Sequence, residues 1–116
     1  YRDKGEYEKA EEVLKEAIKL KPDEWSNYNL LAATYRDKGN YEEAIKILRE
    51  AIKLKPEEWR YYNILARIYL KLERYKEAKE MFEKALVLNP DVEHIKKIKE
   101  NIDIIQQIPL LPKVDI

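Results

Sequence analysis

Three side chains in this sequence could supply hydrolytic or proton-transfer chemistry, and each stands alone in its type: Ser26, Thr34 and His94. A nucleophilic pair would require Ser26 and His94 to meet, yet a long stretch of helical pattern separates them. A metal site needs several ligands. One histidine and no cysteine cannot assemble one, so His94 is expected to be solvated on a helix surface beside Glu93 and Lys96. The lack of cysteine also removes disulfides, zinc fingers and thiol chemistry. Paired acids at Glu11-Glu12, Glu42-Glu43 and Glu57-Glu58 point about 100° apart on a helix. They do not converge on a ligand, and instead place negative charge near helix N-termini. Gly5 and Gly39 cannot build a glycine-rich phosphate loop. The sequence therefore predicts no catalytic residue, no metal and no cofactor.

Composition narrows what must position the remaining residues. The chain has 116 residues, enough for one modest domain. Lys and Arg number 23, as do Asp and Glu, so the net charge is +0. That argues against bulk electrostatic binding of nucleic acid. Charged residues make up 40% and hydrophobic ones 45%, which is enough apolar material to build a core rather than a disordered chain. No apolar run reaches transmembrane length and no signal peptide is present, so a cytoplasmic setting is expected. The chain opens on Tyr1 rather than Met and reads as a segment of a longer protein. Wealth in Lys, Glu and Ile fits a thermophile and an AT-rich genome equally well.

The dominant signal is a step of 34 residues. It links Ala10, Ala44 and Ala78; Tyr1, Tyr35 and Tyr69; Tyr7, Tyr41 and Tyr75; Leu14, Leu48 and Phe82; Ala17, Ala51 and Ala85; and Pro22, Pro56 and Pro90. Each unit holds two helical stripes. Trp25, Tyr28, Leu31, Ala32 and Tyr35 form one; Ala44, Ile47, Leu48, Ala51 and Ile52 form the other. On this stripe Trp25 and Trp59 are core-packing residues. Gly39 can adopt the positive φ that ends a helix, and Asn40 with Glu43 reads as an N-cap pair. Pro56 suits the first turn of the following helix. Expected helices are 1–4, 7–20, 24–37, 41–54, 58–71, 75–88 and 91–106, with neighbours antiparallel and no strands. The pairs Glu11–Lys15, Glu42–Lys46 and Glu80–Lys84 offer i,i+4 support.

The pattern resembles the tetratricopeptide repeat (TPR). The match rests on Tyr28, Leu31, Ala32, Tyr35, Gly39, Tyr41, Ala44, Leu48, Ala51 and Pro56, and recurs in Tyr62, Leu65, Ala66, Tyr69, Tyr75, Ala78, Phe82, Ala85 and Pro90. The resemblance covers about residues 1–90. It implies an all-α fold, an α-solenoid of antiparallel helix pairs. The expected organisation is a truncated first unit (1–22), two complete units (23–56 and 57–90), a capping helix (91–107) and an extended apolar tail (108–116). Glu73 departs from the pattern, standing where the earlier units have glycine. A non-glycine residue with positive φ costs about 1 kcal/mol, so strain or an altered turn is expected there.

In this family the first helix of each unit lines a concave face. The resemblance thereby assigns Asn29, Arg36, Arg60, Asn63, Arg67, Lys71 and Lys97 to a peptide-binding groove, with Ser26, Ala33, Asp37, Leu70 and His94 beside them. Five cations against Asp37 leave the groove at +4 in a chain of net zero, which favours an acidic partner. The family's carboxylate clamp for heat-shock chaperone tails would fall on Leu30, Arg60 and Ile64, of which only Arg60 keeps the charge. Arg60→Glu with Arg67→Glu is expected to abolish acidic-peptide binding and leave stability nearly unchanged.

Two roles follow. The first is a non-catalytic module that binds a protein or peptide segment, acidic in part. The second is self-assembly as a homodimer. The stripe Ala10, Val13, Leu14 and Ala17 lacks the helix that would cover it, and the tail carries Leu110 and Leu111; exposed apolar patches of this kind find partners. Neither nucleic acid nor a membrane is an expected partner.

Overall fold

The computed structural model describes the backbone of residues 4–107 and the side chains of 5–104. The tail at 108–116, with Leu110 and Leu111, lies outside the described residues. Six helices follow one another: α1 (Lys4–Leu20), α2 (Trp25–Asp37), α3 (Tyr41–Leu54), α4 (Trp59–Lys71), α5 (Tyr75–Leu88) and α6 (Glu93–Gln107). No strand occurs among the described residues.

Alternating short turns and small residues generate the architecture. Ala32, Ala44, Ala51, Ala66, Ala78 and Ala85 are fully buried, and side chains this small let helix axes approach to about 8–10 Å. Leu31, Leu48, Leu65, Tyr69 and Phe82 fill the space between them. α2 packs on α3 and α4 on α5 as hairpins; α1 lies on α2, α3 on α4, and α2 also reaches α4. α6 closes the stack through Ile95 and Ile102, both buried. Lys79 holds Asp103 at 2.6 Å, and Lys99 reaches Glu83 at 3.6 Å, so ion pairs tie α6 to α5.

Both hairpin turns share one hydrogen-bond pattern. Asn40 N–H donates to the Tyr35 carbonyl at 2.8 Å and Gly39 N–H to Arg36 at 2.9 Å. At the second turn Arg74 N–H reaches Tyr69 at 2.9 Å and Glu73 N–H reaches Leu70 at 3.0 Å. These are Schellman closures, which require a positive φ at the penultimate residue. Gly39 supplies φ 84; Glu73 is forced to φ 60. The turn keeps its shape and Glu73 carries the strain.

Several local expectations need correction. The break expected between segments 1–4 and 7–20 is not found: α1 runs from Lys4 through Gly5 without a turn, and residues 1–3 lie outside the described residues. Continuing the helix there costs only the glycine penalty, about 1 kcal/mol. Asn40 makes no side-chain cap bond. It serves α2 and α3 at once, and its ψ of 68 is not the extended value that aims a cap side chain inward. Glu58 does cap α4, accepting from Arg60 N–H at 3.3 Å. Of the i,i+4 pairs, Glu11–Lys15 forms at 3.8 Å, whereas Glu42 turns to Arg74 at 3.6 Å, and Lys84 sits over the Tyr62 ring. Leu14 is not a bare apolar residue: it packs on the core with Ile18, while Val13 beside it is 61% exposed.

Candidate functional site

α2 and α4 present homologous residues one repeat apart, and their shared face carries the candidate site. Asn29 and Asn63 occupy equivalent positions on it. The Oδ1 of each is buried and has no hydrogen-bond partner. Buried acceptors of this kind are costly, each forfeiting about 1–3 kcal/mol of solvation, and the groups are placed so by the neighbouring core positions Tyr28, Leu31, Tyr62 and Leu65. Next to each amide stands an apolar residue, Leu30 at 55% exposure and the half-buried Ile64.

Near the start of α4, Arg60 is committed. Its guanidinium lies 4.2 Å from the Trp25 ring centroid and 5.2 Å from that of Trp59, and it donates to Glu58 Oε2 at 3.0 Å. Arg60, expected in the groove, thus already has partners within the chain, with its side chain 38% exposed. The tryptophans are correspondingly half-buried, one side on the core and the other under the cation. Close by, Tyr28 and Tyr61 meet edge to face at 5.9 Å. Burial, with Glu58 adding to it, pushes the Tyr61 phenol up to about 12.

Towards the far ends of α2 and α4, Arg36, Asp37, Tyr41, Arg67 and Lys71 line one cleft of about 430 Å³. Arg36 contacts the adjacent Asp37 at 3.4 Å. Three of the sequence's groove residues, Arg36, Arg67 and Lys71, are thus gathered in one place, while Asn29 and Asn63 lie on the same two helices outside that cleft. Lys97 and His94 are exposed on α6 and join neither group. Tyr41 belongs to the 34-residue pattern, and nothing in its spacing marks it as a cleft residue.

The lone hydroxyls are structural. Thr34 Oγ1 donates to the Leu30 carbonyl at 2.9 Å, and Ser26 Oγ donates to Glu24 at 3.3 Å. No group of three or more His, Cys, Asp or Glu placed to hold a metal ion occurs among the described residues. No described helix is long and apolar enough to cross a membrane. A second depression of about 510 Å³ is lined by Pro56, Tyr62, Glu80, Glu83, Lys84, Val87 and Leu88. Its carboxylates lie away from Asn29 and Asn63, and the Tyr62 hydroxyl is already spent on the Pro56 carbonyl at 3.0 Å.

The paired helices, the 34-residue step and the Schellman turns define a TPR solenoid. Residues 3–85 match the model of the TPR-type family described as anaphase-promoting complex, cyclosome, subunit 3, and the chain belongs to that family. No curated protein matches it significantly by sequence. Among solved structures, the Yersinia enterocolitica type III secretion translocator chaperone SycD is 20% identical with a TM-score of 0.77, covering 90% of this chain and 77% of that one. SycD is also known in complex with a peptide of the translocator YopD, at 20% identity and TM-score 0.77, over 89% and 84% of the two chains. The first TPR domain of Spaghetti (RPAP3), bound to the HSP90 peptide SRMEEVD, is 19% identical with a TM-score of 0.75, over 88% and 81%. The Arabidopsis OM64 TPR domain is 26% identical with a TM-score of 0.71, over 84% and 81%.

Proposed function

We propose that this chain is a non-catalytic interaction module holding an extended peptide or protein segment, acidic in part, along the face shared by α2 and α4. The observation that carries this reading is the cleft that Arg36, Arg67 and Lys71 share at the ends of α2 and α4, with Asn29 and Asn63 one repeat apart on the same two helices. The Asn29 and Asn63 oxygens have no internal hydrogen bond to give up, so each amide is free to turn outwards to an extended chain, whose backbone N–H and C=O groups recur at regular intervals. SycD and RPAP3 hold peptides, which supports the same use of this fold. A chaperone tail of the SRMEEVD kind is a poor match. Leu30 and Ile64 replace polar groups at the clamp positions, and Arg60 is occupied by Glu58 and the indoles. The partner is better served by an apolar side chain against Leu30 and Ile64, with acidic residues towards Arg36, Arg67 and Lys71.

Selection from a displayed random-peptide library tests the reading. Wild type should enrich a family of sequences, and Asn29→Ala with Asn63→Ala should weaken their binding at least about tenfold, the worth of one or two buried hydrogen bonds. Stability should hold or rise, because an unpaired buried acceptor has been removed. Equal binding by wild type and the double variant would overturn the groove.

A further inference from the structure

We infer that the cleft between the ends of α2 and α4 is a phosphoryl site, receiving a phosphorylated side chain of the segment in the groove; the inference rests on the groove reading above. Arg36, Arg67, Lys71, Asp37 and Tyr41 line it. Arg67 and Lys71 have no ion-pair partner among the described residues, and the Tyr41 hydroxyl has no hydrogen-bond partner there. Arg36 has only the neighbouring Asp37, with both side chains more than a third exposed. Three cations against one acid leave a surplus of +2. A phosphate monoester carries about −1.5 to −2 and three strong acceptor oxygens.

Donor counting points the same way. Two guanidiniums binding bidentately, one ammonium and one phenol offer about six hydrogen bonds. A carboxylate has about four lone-pair sites to receive them. Three phosphoryl oxygens receive all six. Stabilisation of helix C-termini accounts in part for Arg36 and Lys71, which sit in the last turns of α2 and α4. It does not account for Arg67, a full turn inside α4. α3 begins at Tyr41 and brings its positive end to the cleft's edge, where its own Glu42 and Glu43 answer part of that field.

A second cation-lined depression offers the contrast. Arg49, Lys53 and Lys84 surround about 410 Å³ with Ile52, Leu65 and Met81. There Arg49 donates to the Tyr69 hydroxyl and Lys84 lies 5.9 Å from the Tyr62 ring centroid. None of these three is ion-paired among the described residues either, but Arg49 and Lys84 are held on aromatic side chains, whereas Arg67 and Lys71 in the α2–α4 cleft have no such contact.

Three degenerate peptide libraries, identical except for a fixed centre of phosphoserine, serine or Glu-Glu, test the site on immobilised protein. Wild type should retain the phosphoserine library at least about tenfold better than the other two. Arg67→Gln with Lys71→Gln should erase that preference, so that the variant retains the phosphoserine and serine libraries equally, with helical content unchanged. Lys53→Gln with Lys84→Gln should erase nothing. Equal retention of serine and phosphoserine libraries overturns the phosphoryl site and leaves the groove standing. Equal retention of the Glu-Glu library shows a carboxylate site and also overturns it. A preference lost only in the Lys53/Lys84 variant places the anion elsewhere and overturns the assignment. Retention of no library at all fails the groove reading itself.

Discussion

The Arg60 guanidinium rests 4.2 Å from the centre of the Trp25 ring, bridging two successive repeats. The same group donates to Glu58, the residue that caps its own helix. A residue whose spacing marked it for a partner is thus also part of the junction between units. Arg60→Ala should lower stability by about 1 kcal/mol through the lost cation–π contact, and Arg60→Lys should recover only part, because an ammonium does not stack as a planar guanidinium does. Arg67→Ala should move the urea midpoint little, since exposed charges contribute little to folding. Equal losses at the two positions would refute the distinction. The same reasoning revises the expected behaviour of Arg60→Glu with Arg67→Glu, which should lose stability as well as binding.

Glu73 and Gly39 close the two hairpins at φ 60 and φ 84. Glu73→Gly should raise stability by about 1 kcal/mol by releasing left-handed strain, less the entropy of freeing the unfolded chain. Gly39→Ala should cost about as much in the other direction. A Cβ at Gly39 would meet no atom within 4 Å, so this loss would be backbone strain alone. Chemical denaturation should show shifted midpoints at unchanged m-values. No gain at Glu73 together with no loss at Gly39 would mean that the turns are not strained.

The attachment of α6 should depend on acid. The Lys79 ammonium, hydrogen-bonded to Asp103, holds that carboxyl below its ordinary value. The unfolded chain takes up this proton first, near pH 4. The pair's contribution is therefore complete above that pH and is lost as pH falls through the lower folded value. Asp103→Asn should remove this limb of the acid profile, as read from amide exchange in α6. An unchanged profile would exclude the pair as its source.

Alkali should act through tyrosine. Tyr61 titrates at about 12 in the folded chain, against an ordinary value of 10.0. The unfolded phenol loses its proton first, so stability should be intact below pH 10 and decline as pH rises from about 10 towards 12. Tyrosinate absorbance should show a late-titrating phenol that Tyr61→Phe removes. Tyr28 and Tyr62, both raised by burial, will broaden the curve.

Self-association through α1 has a narrow footing. Val13 and Leu20 are exposed, but Lys9, Glu12, Lys15, Glu16 and Lys19 surround Val13, and two apolar side chains among charges bury little area. Val13→Lys should leave the mass in solution unchanged. A dimer that dissociates on that substitution would establish the α1 face as an interface.

The repeat was legible because its residues encode packing. Ala44, Leu48, Phe82 and Ala85 sit where small and large side chains must alternate for helices to approach, and all four are buried. The turn at Glu73 was legible as a departure, although only coordinates show that the backbone yields rather than the hydrogen bonds. Asn40 misled, since a residue shared by two helix ends cannot take the dihedral angles of a cap. Asn29 and Asn63 were legible as positions and not as buried acceptors, because partner satisfaction depends on what surrounds the oxygen. The grouping of Arg36 with Arg67 and the separation of Arg60 from both follow from which neighbours each cation finds, which spacing alone does not encode.

The main contacts run between successive helices, with α2 against α4 in addition. In such a stack each helix opens at the expense of its immediate neighbours only, so amide exchange should be slowest in α3 and α4 and quicken towards both ends. A segment lying across Asn29 and Asn63 would touch two repeats that otherwise fluctuate in part independently. Its binding would merge their separate openings into one, and its affinity would then measure the cooperativity of the array as well as the fit of the groove.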